Sequence, residues 1–286
     1  MSTEEITATS YETRLEKKLR QWKYLLPAAT FFTIGVLVAG IYTCMLFFES
    51  GYYYSIIVAG FLYHAAMIVG VHDGAHKAIT KTTADSWIMS IVGGIVLLPF
   101  YPEPFRRYHL IHHANTNSEA DPLWPNLKKK IFERSRLLYI LAELIPFGFI
   151  AITIFSDKET KRKVNGPKIR FGFMALSFLI SFVIIYFVKL DAIFIISSMY
   201  FATIVAKLRH WCEHIGDIPH KESNTYWFPL GMGIGNHDVH HDHPNYSWLT
   251  LLIGLRKRKK DTHPLKAIYR ILFDKNYIHY GGISDS

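Results

Sequence analysis

Three short segments of the chain crowd histidines together, and the spacing within each is that of one helix face. Residues 72–76 read HDGAH, residues 109–113 read HLIHH and residues 237–241 read HDVHH, and another histidine is His214. Because each residue of an α-helix turns by about 100°, positions three and four apart project to the same side. We therefore expect each triplet to direct its three imidazoles to a single point.

Together these histidines form a candidate metal site with nine ligands. They are His72, His76, His109, His112, His113, His214, His237, His240 and His241. Taken singly, each group is weak evidence for a metal site, and solvated or core histidines are the alternative. Nine clustered imidazoles without a cation would repel one another when protonated and would lose hydration when buried. A zinc site uses three or four protein ligands, so nine suit two metal ions with open positions, and imidazole alone does not choose the element.

Other side chains near the histidines are candidates for orienting the rings. A carboxylate that accepts the far N–H of a ligating imidazole fixes its tautomer, whereas the alternative is a carboxylate facing solvent or paired with an arginine. These carboxylates are Asp73, Asp121, Glu213, Asp238 and Asp242. His210 lies one turn before His214 and is a candidate additional ligand, or a hydrogen-bond partner of one. His64 is expected to be hydrogen-bonded in the core, with a place along a substrate passage as the alternative.

The elements that must position these residues are those of a membrane protein. The chain has 286 residues, of which 50% are hydrophobic and 15% aromatic. The uncharged stretches 25–48 and 52–71 are each long enough to cross a bilayer as a helix of about 20 residues. Residues 171–188 and 192–206, separated by KLD, predict a second hairpin whose last helix continues past Lys207.

Two further apolar stretches are predicted to be interfacial or re-entrant. Residues 87–100 span only ~21 Å as a helix, and residues 137–155 are interrupted by Glu143 and Pro146. With four crossings, every lysine and arginine except Lys189 falls on the face of the N-terminus, which the positive-inside rule makes cytoplasmic. The sequence thus predicts an all-α integral membrane protein with about four transmembrane helices in two hairpins, interfacial helices and a histidine-rich metal cap at the cytoplasmic face.

The organisation of the chain is predicted to be simple. We expect a cytoplasmic head at 1–24, a single membrane domain at 25–255 and a basic cytoplasmic tail at 256–286. The net charge of +9 comes from basic residues beside apolar segments, which favours anionic lipid over nucleic acid. The RKRKK run at 256–260 is expected to face lipid, with docking of an acidic electron carrier as the alternative. Two cysteines support neither a disulfide framework nor a cysteine-based zinc site.

The histidine segments resemble the three histidine boxes of the membrane fatty acid desaturase and hydroxylase superfamily. HDGAH, HLIHH and HDVHH follow the order HxxxH, HxxHH, HxxHH, and the flanking HHANTNSEADP at 112–122 and HHDHP at 240–244 are similar to the segments after the second and third boxes. RHWCEH at 209–214 resembles the motif that supplies one further histidine, here His214. The resemblance extends from Val71 to Asn245.

This resemblance implies a non-haem di-iron centre that uses O2, with the nine histidines as ligands. The implied substrate is a lipid or other long-chain hydrocarbon, and desaturation of a fatty acyl chain is favoured. The alternative is a hydroxylase or ketolase of an alkane, an acyl chain or a carotenoid. No haem-binding domain or cysteine-rich iron–sulfur segment is evident, so electrons are expected from a separate ferredoxin or cytochrome with its reductase.

Two readings from other classes are weaker. A histidine-rich membrane protein for metal binding or transport should place ionisable groups along a route across the bilayer, whereas here only His64 lies deeper than the rest. A zinc-dependent membrane hydrolase would use three or four of these histidines as ligands and would leave the others without a role.

Overall fold

The computed structural model describes most of the chain between residues 24 and 274. The described residues are 24–116, 121–123, 126–145, 167–188, 190–214, 225, 231–253 and 262–274. The predicted head up to residue 23, the RKRKK run and the tail beyond residue 274 lie outside them, so the predicted domain boundaries stay predictions. Within the described residues all regular structure is helical, with one isolated bridge between Thr225 and Thr262.

Twelve α-helices and one π-helical turn make up the described fold. In chain order the α-helices are α1 (Leu25–Glu49), α2 (Ser55–Ala66), α3 (Asp73–Ala75), α4 (Ala84–Ile95), α5 (Pro102–Asn115), α6 (Asn126–Arg134), α7 (Arg136–Leu144), α8 (Phe171–Phe187), α9 (Ala192–Glu213), α10 (His237–Asp242), α11 (Trp248–Ile253) and α12 (Pro264–Phe273). The π turn, Met67–His72, joins α2 to α3 without a break.

In the described part of the chain, three helical segments are long and apolar enough to cross a membrane: α1, the continuous run Ser55–Ala75 and α9. The fourth predicted crossing corresponds to α8, whose 17 residues make it a shorter apolar helix. The prediction that the last helix continues past Lys207 is confirmed, since α9 begins after an Asp191 side chain that caps Phe194 N and runs to Glu213. The all-α integral membrane fold is therefore as predicted.

Helices α2 and α9 pack closely because α2 presents a glycine to its neighbour. A Cβ added at Gly60 would lie 2.5 Å from the Cβ of Phe201 and 3.1 Å from the backbone oxygen of Ser198. Both helices run towards the histidine-bearing side of the molecule, with His72 and His214 at their ends. The close contact therefore fixes how the first box and His214 face each other.

We expect Gly60→Ala to destabilise the protein by up to ~2 kcal/mol. Overpacking a tight contact costs about 1–3 kcal/mol, which outweighs the ~1 kcal/mol that alanine gains over glycine in a helix. Gly35→Ala in α1 is the matched control, because a Cβ there meets nothing within 4 Å. Thermal unfolding of the purified protein measures both. Equal stability of the two variants would show that the α2–α9 contact is not tight.

The segment between the first two boxes enters and leaves on the same side of the molecule. The rings of His76 and His109, at its two ends, lie 4.8 Å apart. Between them α4 runs alongside α8, with Ser177 Oγ donating to Ser90 O and Ser181 Oγ donating to Gly94 O, both at 2.8 Å. The 12 residues of α4 are too few to cross a bilayer. This geometry fits the predicted re-entrant segment.

A buried carboxylate ties the second box to α8. Glu103, at the start of α5, accepts from Arg106 Nη2 at 3.0 Å and from the backbone N–H of Arg170 at 3.0 Å, and it also bonds the Arg170 guanidinium. The Arg170 Nη1 donates to Ser86 Oγ at 2.7 Å at the start of α4. Two arginines on one carboxylate anchor the helix that carries HLIHH.

Helices α6, α7 and α12 form a second, smaller core against the end of α9. Its buried apolar residues are Phe132, Tyr139, Ile140, Trp211, Cys212, Ala267 and Ile271. Beside it the buried Glu143 carboxylate binds Lys128 Nζ at 2.9 Å and Lys207 Nζ at 2.7 Å. Burial lowers the pKa of Lys128 to about 8. The nine residues of α7 cover the predicted interrupted segment only up to Leu144, and residues 146–155 lie outside the described part of the chain.

Candidate metal centre

Four histidines from three parts of the chain form the first group. His72 and His76 come from the π turn and the end of α3, His109 from α5 and His240 from α10, and their ligand nitrogens all lie within 4.8 Å of one another. The Nε2 atoms of His72 and His240 are 3.1 Å apart, although 168 residues separate them in sequence. Such convergence requires the tertiary fold, since no single helix carries all four rings.

Four more histidines form the second group. His112 of α5, His214 after α9, and His237 and His241 of α10 also have ligand nitrogens within 4.8 Å of one another. His237 Nε2 lies 2.9 Å from His214 Nε2 and 3.1 Å from His241 Nε2. Each group therefore offers four imidazole nitrogens to one small volume.

The ninth histidine, His113, lies between the two groups. Its Nε2 is 3.2 Å from His109 Nε2 and 3.0 Å from His240 Nε2 in the first group. Its ring stacks on His241 of the second group, with centroids 4.0 Å apart. The spacing predicted that each triplet converges on a single point. In the structure, each triplet instead directs rings to both groups.

The protonation of the rings leaves lone pairs pointing into the groups. Asp73 Oδ1 lies 3.1 Å from His72 Nδ1, and Asp121 Oδ2 lies 2.9 Å from His112 Nδ1, so each Nδ1 carries the proton it donates to a carboxylate. The Nε2 of each ring is then an acceptor. His112 Nε2 and His76 Nε2 are buried, and no described residue gives either a hydrogen-bond partner.

A cation satisfies these nitrogens better than any other partner would. Facing Nε2 atoms of neutral imidazoles share at most one proton, and a buried acceptor without a partner costs about 1–3 kcal/mol. Neutral imidazole is also a ligand that zinc, copper, iron and nickel all accept. The donor set therefore fits two metal ions, one for each group, with His113 within reach of both.

Two residues that the sequence did not single out support the candidate ligands: Thr116 contacts a ring directly, and Thr225 binds a carboxylate that contacts one. Thr116 Oγ1 lies 3.1 Å from His241 Nδ1 and 2.9 Å from the His112 carbonyl, so the hydroxyl donates to the carbonyl and accepts from the ring. Glu213 Oε2 lies 3.5 Å from His237 Nδ1, while Thr225 Oγ1 donates to Glu213 Oε1 at 2.6 Å. Thr116 stands inside the HANTN segment, which is the one sequence signal that could have pointed to it.

Asp73 also connects the first group to α1. Its Oδ2 accepts from the backbone N–H of Trp248 at 2.7 Å, and the Trp248 indole donates to Thr30 Oγ1 at 3.1 Å. Asp73 and Thr30 are both fully buried. The ring of His72 is therefore oriented by a chain of contacts that ends in the first membrane helix.

Burial keeps the rings of His76, His109, His240 and His241 neutral at ordinary pH. Burial, followed by the charge of His112, lowers the pKa of His76 to about 3, and burial together with His112 and His76 lowers that of His241 to about 2. Burial is likewise the main cause that holds the pKa of His109 and of His240 well below 6.5. A neutral imidazole is the form that binds a metal.

The remaining candidate residues lie at the edge of the site or outside it. His210 belongs to neither group, and its ring lies 4.8 Å from that of His214. Asp238 Oδ1 accepts from the backbone N–H of Val239 at 2.7 Å. Asp242 is exposed. Among the carboxylates, Asp73, Asp121 and Glu213 contact candidate ligand rings.

The fold and the site together define an integral membrane protein with a histidine-lined candidate metal centre at the end of its spans. A family model for fatty acid desaturase matches residues 51–253, which include all three boxes and His214. The chain belongs to the fatty acid desaturase family. A search among curated proteins finds no match to it.

Membership of this family makes the protein an oxidoreductase of the desaturase and hydroxylase type, associated with a membrane and a lipid substrate. The family and the two histidine groups together indicate that the metal it binds is iron.

Proposed function

We propose that the protein is an O2-dependent di-iron desaturase that introduces a C=C bond into a lipid acyl chain. The observation that carries this proposal is the gathering of eight histidines into two four-membered groups with His113 between them. His72, His76, His109 and His240 would hold one iron, and His112, His214, His237 and His241 the other. Bound iron supplies, with O2 and two electrons from outside, the power to oxidise an unactivated C–H bond.

The chain's own residues orient the ligands. Asp73, Asp121 and Thr116 hold the Nδ1 atoms of His72, His112 and His241, which keeps each Nε2 directed into its group. Such partners are worth about 10- to 100-fold in metal affinity or activity. Glu213 is assigned the same role for His237, and His210 is assigned a supporting contact with His214 rather than a direct bond to metal.

The lipid substrate is proposed to approach from the bilayer side. His72 lies in the last turn of one candidate span and His214 follows directly on another, so an acyl chain lying between helices reaches the histidine groups without crossing water. Phe105 stacks on His109 with centroids 4.8 Å apart and on Tyr101 at 5.3 Å, which gives this side of the group an apolar wall. Overall, two hydrogen atoms leave the acyl chain and, together with two added electrons and two protons, reduce O2 to two waters.

The electrons are proposed to come from a separate ferredoxin or cytochrome with its reductase. An iron–sulfur cluster takes four cysteine ligands, whereas the chain has two cysteines, Cys44 and Cys212, both buried. The basic residues beside the spans support a cytoplasmic position of the site, where such carriers are found.

Mass spectrometry of lipids from cells that express the chain tests the proposal. Cells that express a variant with His112 replaced by alanine are the control. We expect the wild type alone to accumulate a lipid that has lost two hydrogens. Accumulation of a lipid with one added oxygen would instead identify a hydroxylase, and identical lipids in both cultures would contradict the proposed activity.

A further inference from the structure

A buried cluster of two lysines and one glutamate is connected to the second histidine group. Glu143 of α7 accepts through its Oε2 atom from Lys128 Nζ of α6 at 2.9 Å and from Lys207 Nζ of α9 at 2.7 Å. Lys128 and Glu143 are each 1% exposed. Lysines are almost never buried so completely unless their charge is paired. The cluster is separate from the proposed ligands, and its connection to them runs through the backbone.

Lys128 makes a further contact, and this one leads to a candidate ligand. Its Nζ also donates to the backbone carbonyl of Leu123 at 3.0 Å. The backbone N–H of Leu123 donates to Asp121 Oδ1 at 2.8 Å, and Asp121 Oδ2 accepts from His112 Nδ1 at 2.9 Å. Lys128, Asp121 and His112 are each no more than 2% exposed, so water has little access to these bonds. A chain of hydrogen bonds therefore joins the Lys128 ammonium group to the His112 ring.

Charge balance alone does not explain why Lys128 is buried here. The single negative charge of Glu143 is balanced by Lys207, which makes the shorter of the two contacts. Lys128 brings a second positive charge to the same carboxylate, and taking that charge out of water has a desolvation cost. An ammonium group donates up to three hydrogen bonds, so Lys128 holds the Glu143 carboxylate and the Leu123 carbonyl at the same time. It therefore fixes the Leu123 peptide relative to α7.

We propose that Lys128 is a positioning residue for the metal of the second group. It holds the Leu123 peptide, whose N–H in turn holds the Asp121 carboxylate against the His112 ring. The inference rests on the proposed function, since it takes His112 as a metal ligand. Without the ammonium group, the Leu123 carbonyl loses a donor and the Asp121 carboxylate is held less firmly. The expected consequence is weaker binding of one metal ion and unchanged binding of the other.

Competition for iron between the purified full-length protein and the Fe2+ chelator ferrozine tests this role without turnover. We expect Lys128→Met to lower the affinity for one of the two irons by about tenfold, since partners that orient ligands contribute about 10- to 100-fold and Lys128 acts one step further away. The affinity for the other iron should stay as in the wild type. Lys207→Met is the matched control, because it removes the same ammonium group from the same carboxylate and leaves Lys128 bound to Leu123. It should retain both affinities.

Two further variants separate positioning from general stability. Asp121→Asn should weaken the same iron, and adding Lys128→Met to it should cause less than about twofold further loss, because the two residues act along one chain of bonds. If Lys128→Met does not fold, Leu123→Pro breaks the next bond of that chain, since proline has no N–H to donate to Asp121. It should weaken the same iron and leave the cluster of charges in place.

Three results overturn the proposed role of Lys128. They are unchanged iron affinity in Lys128→Met or Leu123→Pro, an equal loss of both irons, and equal effects of Lys128→Met and Lys207→Met. A wild type without bound iron overturns this proposal and the proposed function together. A protein that shows the selective loss of one iron but forms no dehydrogenated lipid contradicts only the desaturase assignment.

Discussion

Removal of metal by a chelator is expected to abolish turnover and to lower the unfolding temperature by several degrees. The reason is that the two histidine groups bring together buried Nε2 acceptors that a bound cation satisfies. A ligand present at about a thousand times its dissociation constant stabilises the folded state by ~4 kcal/mol, and that contribution is lost with the metal. Added Fe2+ should restore both properties.

Metal analysis of the untreated protein provides the companion measurement. We expect close to two irons per chain, one for each group. One zinc per chain, or copper alone, would refute the di-iron assignment. Restoration of stability by Zn2+ without restoration of turnover would be consistent with it, because zinc fits imidazole ligands but has no redox chemistry.

His112→Ala is expected to reduce turnover to below detection and iron from two per chain to about one. The change removes one ring of the second group and leaves the Asp121 carboxylate, which is 2% exposed, without its ring partner. We expect the loss to exceed the 10- to 100-fold effect typical of residues that only orient ligands. The protein should still insert into the membrane, because His112 lies on α5 outside the candidate spans.

The matched control for this variant is His243→Ala. His243 lies two residues beyond His241 but stacks on Tyr246, with centroids 4.7 Å apart, and it belongs to neither group. It should keep full iron content and turnover. Substantial turnover by His112→Ala would remove His112 from the proposed ligands, whereas loss of iron in both variants would indicate general damage to α10 and its surroundings.

The spacing of the boxes predicted that the histidines come together, but not how they are distributed between the two groups. Residues three and four apart on a helix differ by about −60° and +40°, so His109, His112 and His113 fan over an arc of about 100°. An arc of that width reaches two neighbouring points. Which ring goes to which point depends on how α5 and α10 face each other, and that is a tertiary property that periodicity does not contain.

The spans were predictable because length and hydropathy set them directly, whereas the contacts that orient the rings were not. Asp73 accepts from the backbone of Trp248, which is 175 residues away in sequence. Glu213 accepts from Thr225, the residue that forms the isolated bridge with Thr262.

The π turn before the first box sets the direction in which that box faces. Its wider winding inserts extra backbone into one turn, so every side chain beyond Met67 is rotated relative to a regular helix, on which one residue corresponds to about 100°. Continued as an ordinary α-helix, the same span would keep its apolar surface yet aim His72 elsewhere than at His240. The directions of His72 and His76 are therefore set by the local pitch of one membrane helix. They do not depend on the conformation of a surface loop.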